Sequence, residues 1–301
     1  MAIIDIKTQD LFNAVLENGK EYENKRRGVK RLQISDYTIK HNANEGFPAL
    51  TLKKLNFKNV ITELIWFLRG DNDIAYLKKN GANFWDKDAY NWHVKHNSNP
   101  LSFKEFKKQG HGSTGANYSI QWRDYNLKGI DQIKTLIDGM RKDIMGSRLI
   151  VNAWNPAQLH LTALPPCHTG FQIIGEPLSN GEYGFKLKWF QRSVDSFLGY
   201  PFNIASYFAL GLILSKMTGY EFLGVIGSLS CVHFYDNQYK EATDFINKDW
   251  NKHPNCELKI NYDLAGRGVD VFDELEPEHF ELIGYESDEF VPVEMIAPKQ
   301  I

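Results

Sequence analysis

The chain has 301 residues, 43% of them hydrophobic and 24% charged, with a formal net charge of −2. That composition is ordinary for a folded protein, and the length suits one large domain or two average ones. The near-neutral balance gives no electrostatic footprint for nucleic acid or an anionic membrane surface, so any anionic ligand must be held by a few local cations. The cysteines Cys167, Cys231 and Cys256 are odd in number and widely spaced. They form neither a disulfide framework nor a CxxC metal pair, so a reducing compartment and no metal are expected. Residues 1–12, MAIIDIKTQDLF, lack the charged n-region and apolar core of a signal peptide. The apolar runs fall far short of the ~20 residues of a membrane helix. A cytoplasmic globular protein is the expectation.

In chain order, residues 58–69 (KNVITELIWFLR) are apolar at 60, 61, 64, 65, 67 and 68, which predicts a helix with a wide buried face. Glu63 lies inside it among apolar neighbours. Residues 92–117 are polar, contain glycine and show no clear period; they read as an inserted surface excursion. A second helix is predicted over 130–142. Strands are predicted at 148–155, 169–176, 185–193 and 257–264 from alternation and β-branched or aromatic content. Residues 203–218 (NIASYFALGLILSKMT) predict a helix that is apolar nearly all round and therefore central. No linker, repeat or low-complexity tract interrupts the chain, so a single domain over 1–301 is expected. Strands outnumber helices late in the chain and do not alternate strictly with them, which argues for an α+β class.

The stretch LPPCHTGFQ (164–172) places Cys167 after a rigid Pro-Pro and before His168. A cysteine is nucleophilic only as its thiolate, which nearby cations favour. Arg192, in a nearby strand-like segment, is a candidate. His168 is adjacent in sequence, but neighbours on an extended segment point to opposite faces, so a Cys–His dyad is disfavoured. From this stretch alone a buried structural cysteine is the commoner case. The run QRSVDSFLGYPFNIASY (191–207) adds a guanidinium, a hydroxyl (Ser193), a carboxylate (Asp195), a glycine turn and an amide (Asn203) at a helix start. Asn203 could be an N-cap and Asp195 a loop acid. Equally, an amide both donates and accepts, so it can pair with the O4 and N3–H edge of a uracil, and a carboxylate can accept from an aminopyrimidinone ring. The residues alone leave both readings open.

Together the segments resemble the thymidylate synthase family over nearly the whole chain. The family's Pro-Cys-His strand stands here as PPCH (165–168), and its Gln-Arg-Ser signature as QRSVDSFLGYPFNIA (191–205). GFPALTLKK (46–54), ELIWFLRGDNDIAYL (63–77), FWD (84–86), NYSIQWR (117–123), SRLIVNAWNP (147–156), VHFYDNQ (232–238) and IAPKQI (296–301) follow in matching order. The resemblance implies a mixed β-sheet packed against helices, with a sheet face forming the interface of a homodimer. It also implies dUMP as substrate and 5,10-methylenetetrahydrofolate as cosubstrate. Carried over by position, Cys167 is the nucleophile that adds to the pyrimidine C6, turning C5 into an enolate-like carbon. Arg192 would lower the thiol pKa and bind phosphate, and Glu63 would organise water and relay protons. Tyr118 would assist loss of the C5 proton, while Asn203 and Gln191 would serve the uracil. Asp195 would hold the pterin. His233 and Tyr235 would bind the sugar hydroxyl. Arg26 and Ser193 would clamp the phosphate, with Arg148 reaching across from the second subunit. Trp85, Leu164, Gly199, Phe202 and Ile301 would form and close the folate site.

Two departures stand out. Ser147-Arg148 keeps only the second arginine of the family's cross-subunit pair, a charge that Arg27, Lys30 or Arg31 could restore. Ser230-Cys231 replaces the family's Gly-Asp, and Cys231 reads as a packing residue. The resemblance therefore leaves two reactions in view, methylation of dUMP and its hydroxymethylation by water attack on the methylene intermediate. Retained Trp85 and Leu164 and the apolar C-terminus favour methylation, and Asn203, where dCMP-specific relatives carry Asp, favours uracil. A catalytically inactive nucleotide- or RNA-binding relative is the remote alternative, disfavoured because Cys167 and Glu63 are both present.

Overall fold

A 15-residue strand, Glu221–Tyr235, forms the spine against which the other elements are laid. The computed structural model describes residues 1–25 and 28–296. The strands β1 (Lys20–Asn24), β2 (Val29–Asn42), β3 (Ile150–Asn152), β4 (His168–Pro177), β5 (Tyr183–Gln191), β6 (Val194–Asp195) and β7 (Glu221–Tyr235) make one sheet. Its order is β1-β2-β7-β5-β4-β3, with β6 also on β7. β5 and β6 run parallel to β7 and the other pairs are antiparallel, so the sheet is mixed. β8 (Glu257–Ile260) and β9 (Phe280–Ile283) form a separate antiparallel pair. Among the described residues the helices are α1 (Ile3–Asn18), α2 (Phe57–Arg69), α3 (Ala75–Lys79), α4 (Asp86–His96), α5 (Phe103–Gln109), α6 (Tyr118–Arg123), α7 (Gln132–Lys142), α8 (Gly199–Thr218) and α9 (Tyr239–Ile246). The class is the expected α+β. None of these helices is long and apolar enough to cross a membrane.

The predicted helix over 58–69 is α2. Asn56 caps it by accepting the Asn59 N–H, and Gly70 ends it in the left-handed region, where a residue without Cβ sits at no steric cost. The predicted central helix is α8, but it starts four residues earlier than its apolar pattern suggested. Gly199-Tyr200-Pro201 is its first turn, a place where proline's missing N–H costs nothing. Asn203 therefore lies within the helix and is not its N-cap, which is Leu198. α7 matches the expected second helix, capped by Asp131.

The strand predicted over 148–155 shrinks to β3, because the Ala153 and Trp154 N–H groups both turn to the Thr169 carbonyl (2.9 and 3.1 Å). That at 257–264 keeps only β8. The aperiodic stretch 92–117 holds the end of α4 and all of α5. Ser102 and Glu105 form a reciprocal capping box there, and Phe106 is buried against Tyr90 and His93.

α8 packs on the helix-covered face of the sheet so closely that a Cβ at Gly211 would lie 2.2 Å from the Phe222 ring of β7. Gly211→Ala should thus overpack the interface and cost ~1–3 kcal/mol despite its better helix propensity. A lowered urea midpoint at unchanged slope is the expected result; an unchanged midpoint would mean that Phe222 has room to swing away.

Candidate active site

Cys167 sits between two prolines and the first residue of β4, on a loop that Arg192 brackets. The Arg192 N–H donates to the Cys167 carbonyl (2.9 Å), its Nε to the Pro166 carbonyl (2.8 Å) and its Nη2 to the Pro165 carbonyl (2.9 Å). Its guanidinium also lies over the Trp154 ring, 5.2 Å from the centroid. On the other side the Cys167 N–H donates to the Tyr118 hydroxyl at 2.6 Å. Burial first, and the adjacent Cys167 second, hold the Tyr118 phenol well above its ordinary range, so it remains a neutral hydroxyl.

A cleft of about 920 Å³ opens over this loop, near the top of the ~300–1,000 Å³ range of small-molecule sites. Cys167, Glu63, Tyr118, Asn203, Asp195, Gln191, Ser193, His233, Tyr235, Trp85, Leu164, Gly199 and Phe202 all line it, so most of the side chains expected from the resemblance meet in one place. Arg192 and Arg148 do not line it. Arg148 is exposed at the start of β3, and Arg192 braces the loop from behind. Arg26 and Ile301 lie outside the described residues. Of the three cysteines only Cys167 lines the cleft. Cys231 adopts φ 48° on β7, and its carbonyl accepts from His233 Nδ1 at 2.7 Å.

Glu63, on α2, is half-buried and lines the cleft beside Phe67, Trp85 and Tyr118. Burial pushes its carboxyl up to about 7, opposed by a hydrogen bond from the Trp85 indole Nε1 to Oε1 (2.7 Å). His168, next to Cys167, touches the same cleft, but its ring is buried among aromatic side chains. It stacks on Tyr118 (centroids 4.1 Å apart) and meets the Tyr207 hydroxyl through Nδ1 (2.7 Å). Burial pushes it down to about 3, so it stays neutral and cannot act as the thiol's base near pH 7. Asn203 Oδ1 accepts from Gln191 Nε2 (3.0 Å), whose own Oε1 accepts from the Trp189 indole (3.1 Å). Asp195 Oδ1 accepts the N–H groups of Phe197 (3.2 Å) and Leu198 (2.9 Å), and Gln238 Nε2 donates to both carboxylate oxygens at 3.1 Å. Burial raises the Asp195 carboxyl against these bonds.

Sequence reasoning missed part of the wall. Lys53 is buried beside Asp195; burial pulls it down to about 8 while that carboxylate pulls it up. The only signal was the TLKK end of a matched segment. Phe290, Val293 and Met295 of the C-terminal segment also line the cleft, and the Glu294 carbonyl there accepts from Asn237 Nδ2 at 2.9 Å.

Glu63 links fold to pH. Its folded value lies above the ordinary 4.5, so the fold holds its proton more tightly than the unfolded chain does. That contribution is complete below about 4.5 and is lost as pH rises through about 7. Glu63→Gln should accordingly raise the melting temperature by ~2–4 °C more at pH 8 than at pH 5. An equal shift at both would mean that the carboxyl is not held protonated.

A family model described as "Thymidylate synthase" matches residues 7–297. With that match spanning nearly the whole chain, the protein belongs to the thymidylate synthase family.

Proposed function

We propose that the chain is a thymidylate synthase that converts dUMP to dTMP through a transient bond between Cys167 and the pyrimidine C6. The observation that carries this reading is the convergence of Cys167, Glu63, Tyr118 and Asn203, far apart in sequence, on one cleft. Bound 5,10-methylenetetrahydrofolate would supply the one-carbon unit and the hydride. The wall suits such a planar heterocycle: Trp85, Phe202, Leu50 and Val293 offer apolar surface, and Asp195 is a half-buried acceptor for ring N–H groups.

Cys167 adds to C6, and C5 gains carbanion character that an unactivated uracil lacks. Glu63, poised to gain or lose a proton near neutrality, serves the O4 end of the ring through water. Tyr118, hydrogen-bonded to the cysteine backbone, assists removal of the C5 proton. Asn203 donates to O4 and accepts from N3–H. Elimination then releases Cys167. Trp85 and Leu164 keep water from the exocyclic methylene, which favours reduction over hydration.

A second copy of the chain would complete the site. The sheet face away from α8 carries half-buried Ile174, Phe190 and Ile226 among Lys186, Lys188 and Gln172, and Arg148 is exposed near its edge. We read that face as the dimer interface and Arg148 as the partner's phosphate ligand. The segment 92–117 belongs to the same domain, since Phe103 and Lys107 of α5 reach the cleft.

Product analysis separates this reading from hydroxymethylation. Purified protein with dUMP and methylenetetrahydrofolate should yield dihydrofolate and a nucleotide heavier by CH2, with Cys167→Ala inactive but still binding dUMP. Tetrahydrofolate with a gain of CH2O would make the enzyme a hydroxymethylase. Turnover by Cys167→Ala near the unmodified rate would remove the sulfur from the mechanism.

Asn203→Asp should shift the kcat/KM ratio toward dCMP by ~10-fold or more, since a buried edge left with mismatched donors and acceptors costs ~1–3 kcal/mol. An unchanged ratio would place base recognition elsewhere.

A further inference from the structure

Arg31 is buried, 9% exposed, between exposed Lys30 and half-buried Leu32 along β2. It lies on β2 opposite Tyr235 of β7, and Gln33 lies opposite His233, so Arg31 shares the side of the sheet from which Tyr235 and His233 reach the cleft. Its guanidinium lies near two rings, Tyr22 at 5.8 Å and Tyr235 at 5.5 Å from the centroids. β6 runs parallel to β7 with Asp195 opposite His233, which brings Ser193 alongside.

The bonding of this guanidinium is incomplete. Nη1 donates to the Tyr22 hydroxyl at 3.1 Å, and Nη2 reaches the Ser193 hydroxyl only at 3.4 Å. Nη2 is also 3.5 Å from His233 Nδ1, but that nitrogen donates to the Cys231 carbonyl and so cannot accept. Nε has no partner, and no carboxylate among the described residues pairs with Arg31; the nearby Lys30 and Glu21 pair with each other at 2.8 Å. A buried charge without counter-charge is costly unless something supplies one. The fork of a guanidinium matches a phosphate monoester, and the hydroxyl it approaches, Ser193, lines the cleft.

We propose that Arg31 is a phosphate-binding residue of the nucleotide site, supplied within the chain itself. The proposal rests on the nucleotide reading given above and adds to it a second layer: a phosphate on Ser193 draws its charge from Arg31 behind it. The residue acts in binding and takes no part in bond making.

The test measures binding of dUMP and of deoxyuridine to the whole protein and to Arg31→Gln. The variant should lose ~10- to 100-fold in affinity for dUMP, the range of a charge-assisted contact, and bind deoxyuridine as before. Arg31→Lys, which keeps the charge and gives up the fork, should fall between. Wild-type affinity for dUMP in Arg31→Gln, or equal losses for nucleotide and nucleoside in either variant, would overturn the proposal. A third arm uses inorganic phosphate and thermal unfolding. If the protein binds neither dUMP nor deoxyuridine, the nucleotide reading fails. Arg31 then stands as an anion site only if phosphate raises the melting temperature of the wild type more than that of Arg31→Lys. No rise in the wild type overturns it, whether or not Arg31→Gln folds.

Discussion

The chemistry of the cleft depends on one constraint, the fixing of a cysteine on an irregular loop. Pro165 and Pro166 have no N–H, so the segment 165–167 offers carbonyl oxygens and almost no donors. Arg192 is their complement: its backbone N–H and two guanidinium nitrogens take three consecutive carbonyls. The one remaining donor, the Cys167 N–H, goes to Tyr118. Every backbone polar group around the sulfur is thereby engaged by a group that other elements hold in place. Arg192 follows the end of β5, whose parallel ladder with β7 reaches Gln191 and Leu229. Tyr118 begins α6, and Asn117 caps that helix. The loop is rigid because its surroundings are.

Burial acts on His168, Glu63, Lys53 and Asp195 in the same sense, toward neutrality, yet the outcomes differ. His168, packed between Tyr118 and Tyr207, is driven so far down that it has no charge to gain near neutral pH. Glu63 starts lower and is driven up to about 7, which leaves it poised to exchange a proton. Lys53 and Asp195 offset one another, the lysine pulled back up and the acid back down by their opposite charges. The imidazole beside the thiol in sequence is thus a packing element, and the proton-handling group comes from a helix about a hundred residues away in the sequence.

Much of this was legible in the sequence, for identifiable reasons. α7 announces itself because one face is buried and the other wet, and α2 because its apolar positions cover a wide arc at helical spacing, so both periodicities survive in the residue pattern. The core of α8 is equally plain, but its start is not, since Gly-Tyr-Pro is as good a turn as it is a first helical turn. The spine β7 escaped because glycines at 224 and 227, where a Cβ would meet His41 or Trp189, break its apolar alternation. β2 is largely polar and escaped likewise. Cys167, Glu63, Tyr118 and Asn203 were named because ordered motifs carry them. Arg31 was named only as one of three cations that could restore a lost charge; its burial against Tyr235, like the placing of Lys53 beside Asp195, depends on long-range pairing that no local pattern encodes.

The base edge shows how little the scaffold specifies and how much one side chain does. The Trp189 indole can only donate, so Gln191 must turn its oxygen toward it and its amide nitrogen toward residue 203. The second Gln191 donation, to the Ser193 carbonyl at 3.2 Å, holds the same orientation. The relay therefore demands an acceptor at position 203 and fixes Asn203 Oδ1 against Gln191. The amide nitrogen is left as the group whose identity is open. An aspartate would satisfy the relay equally well and replace that donor with a second acceptor. The fold thus tolerates either residue, and the hydrogen-bonding pattern shown to a pyrimidine is set by a single atom of residue 203.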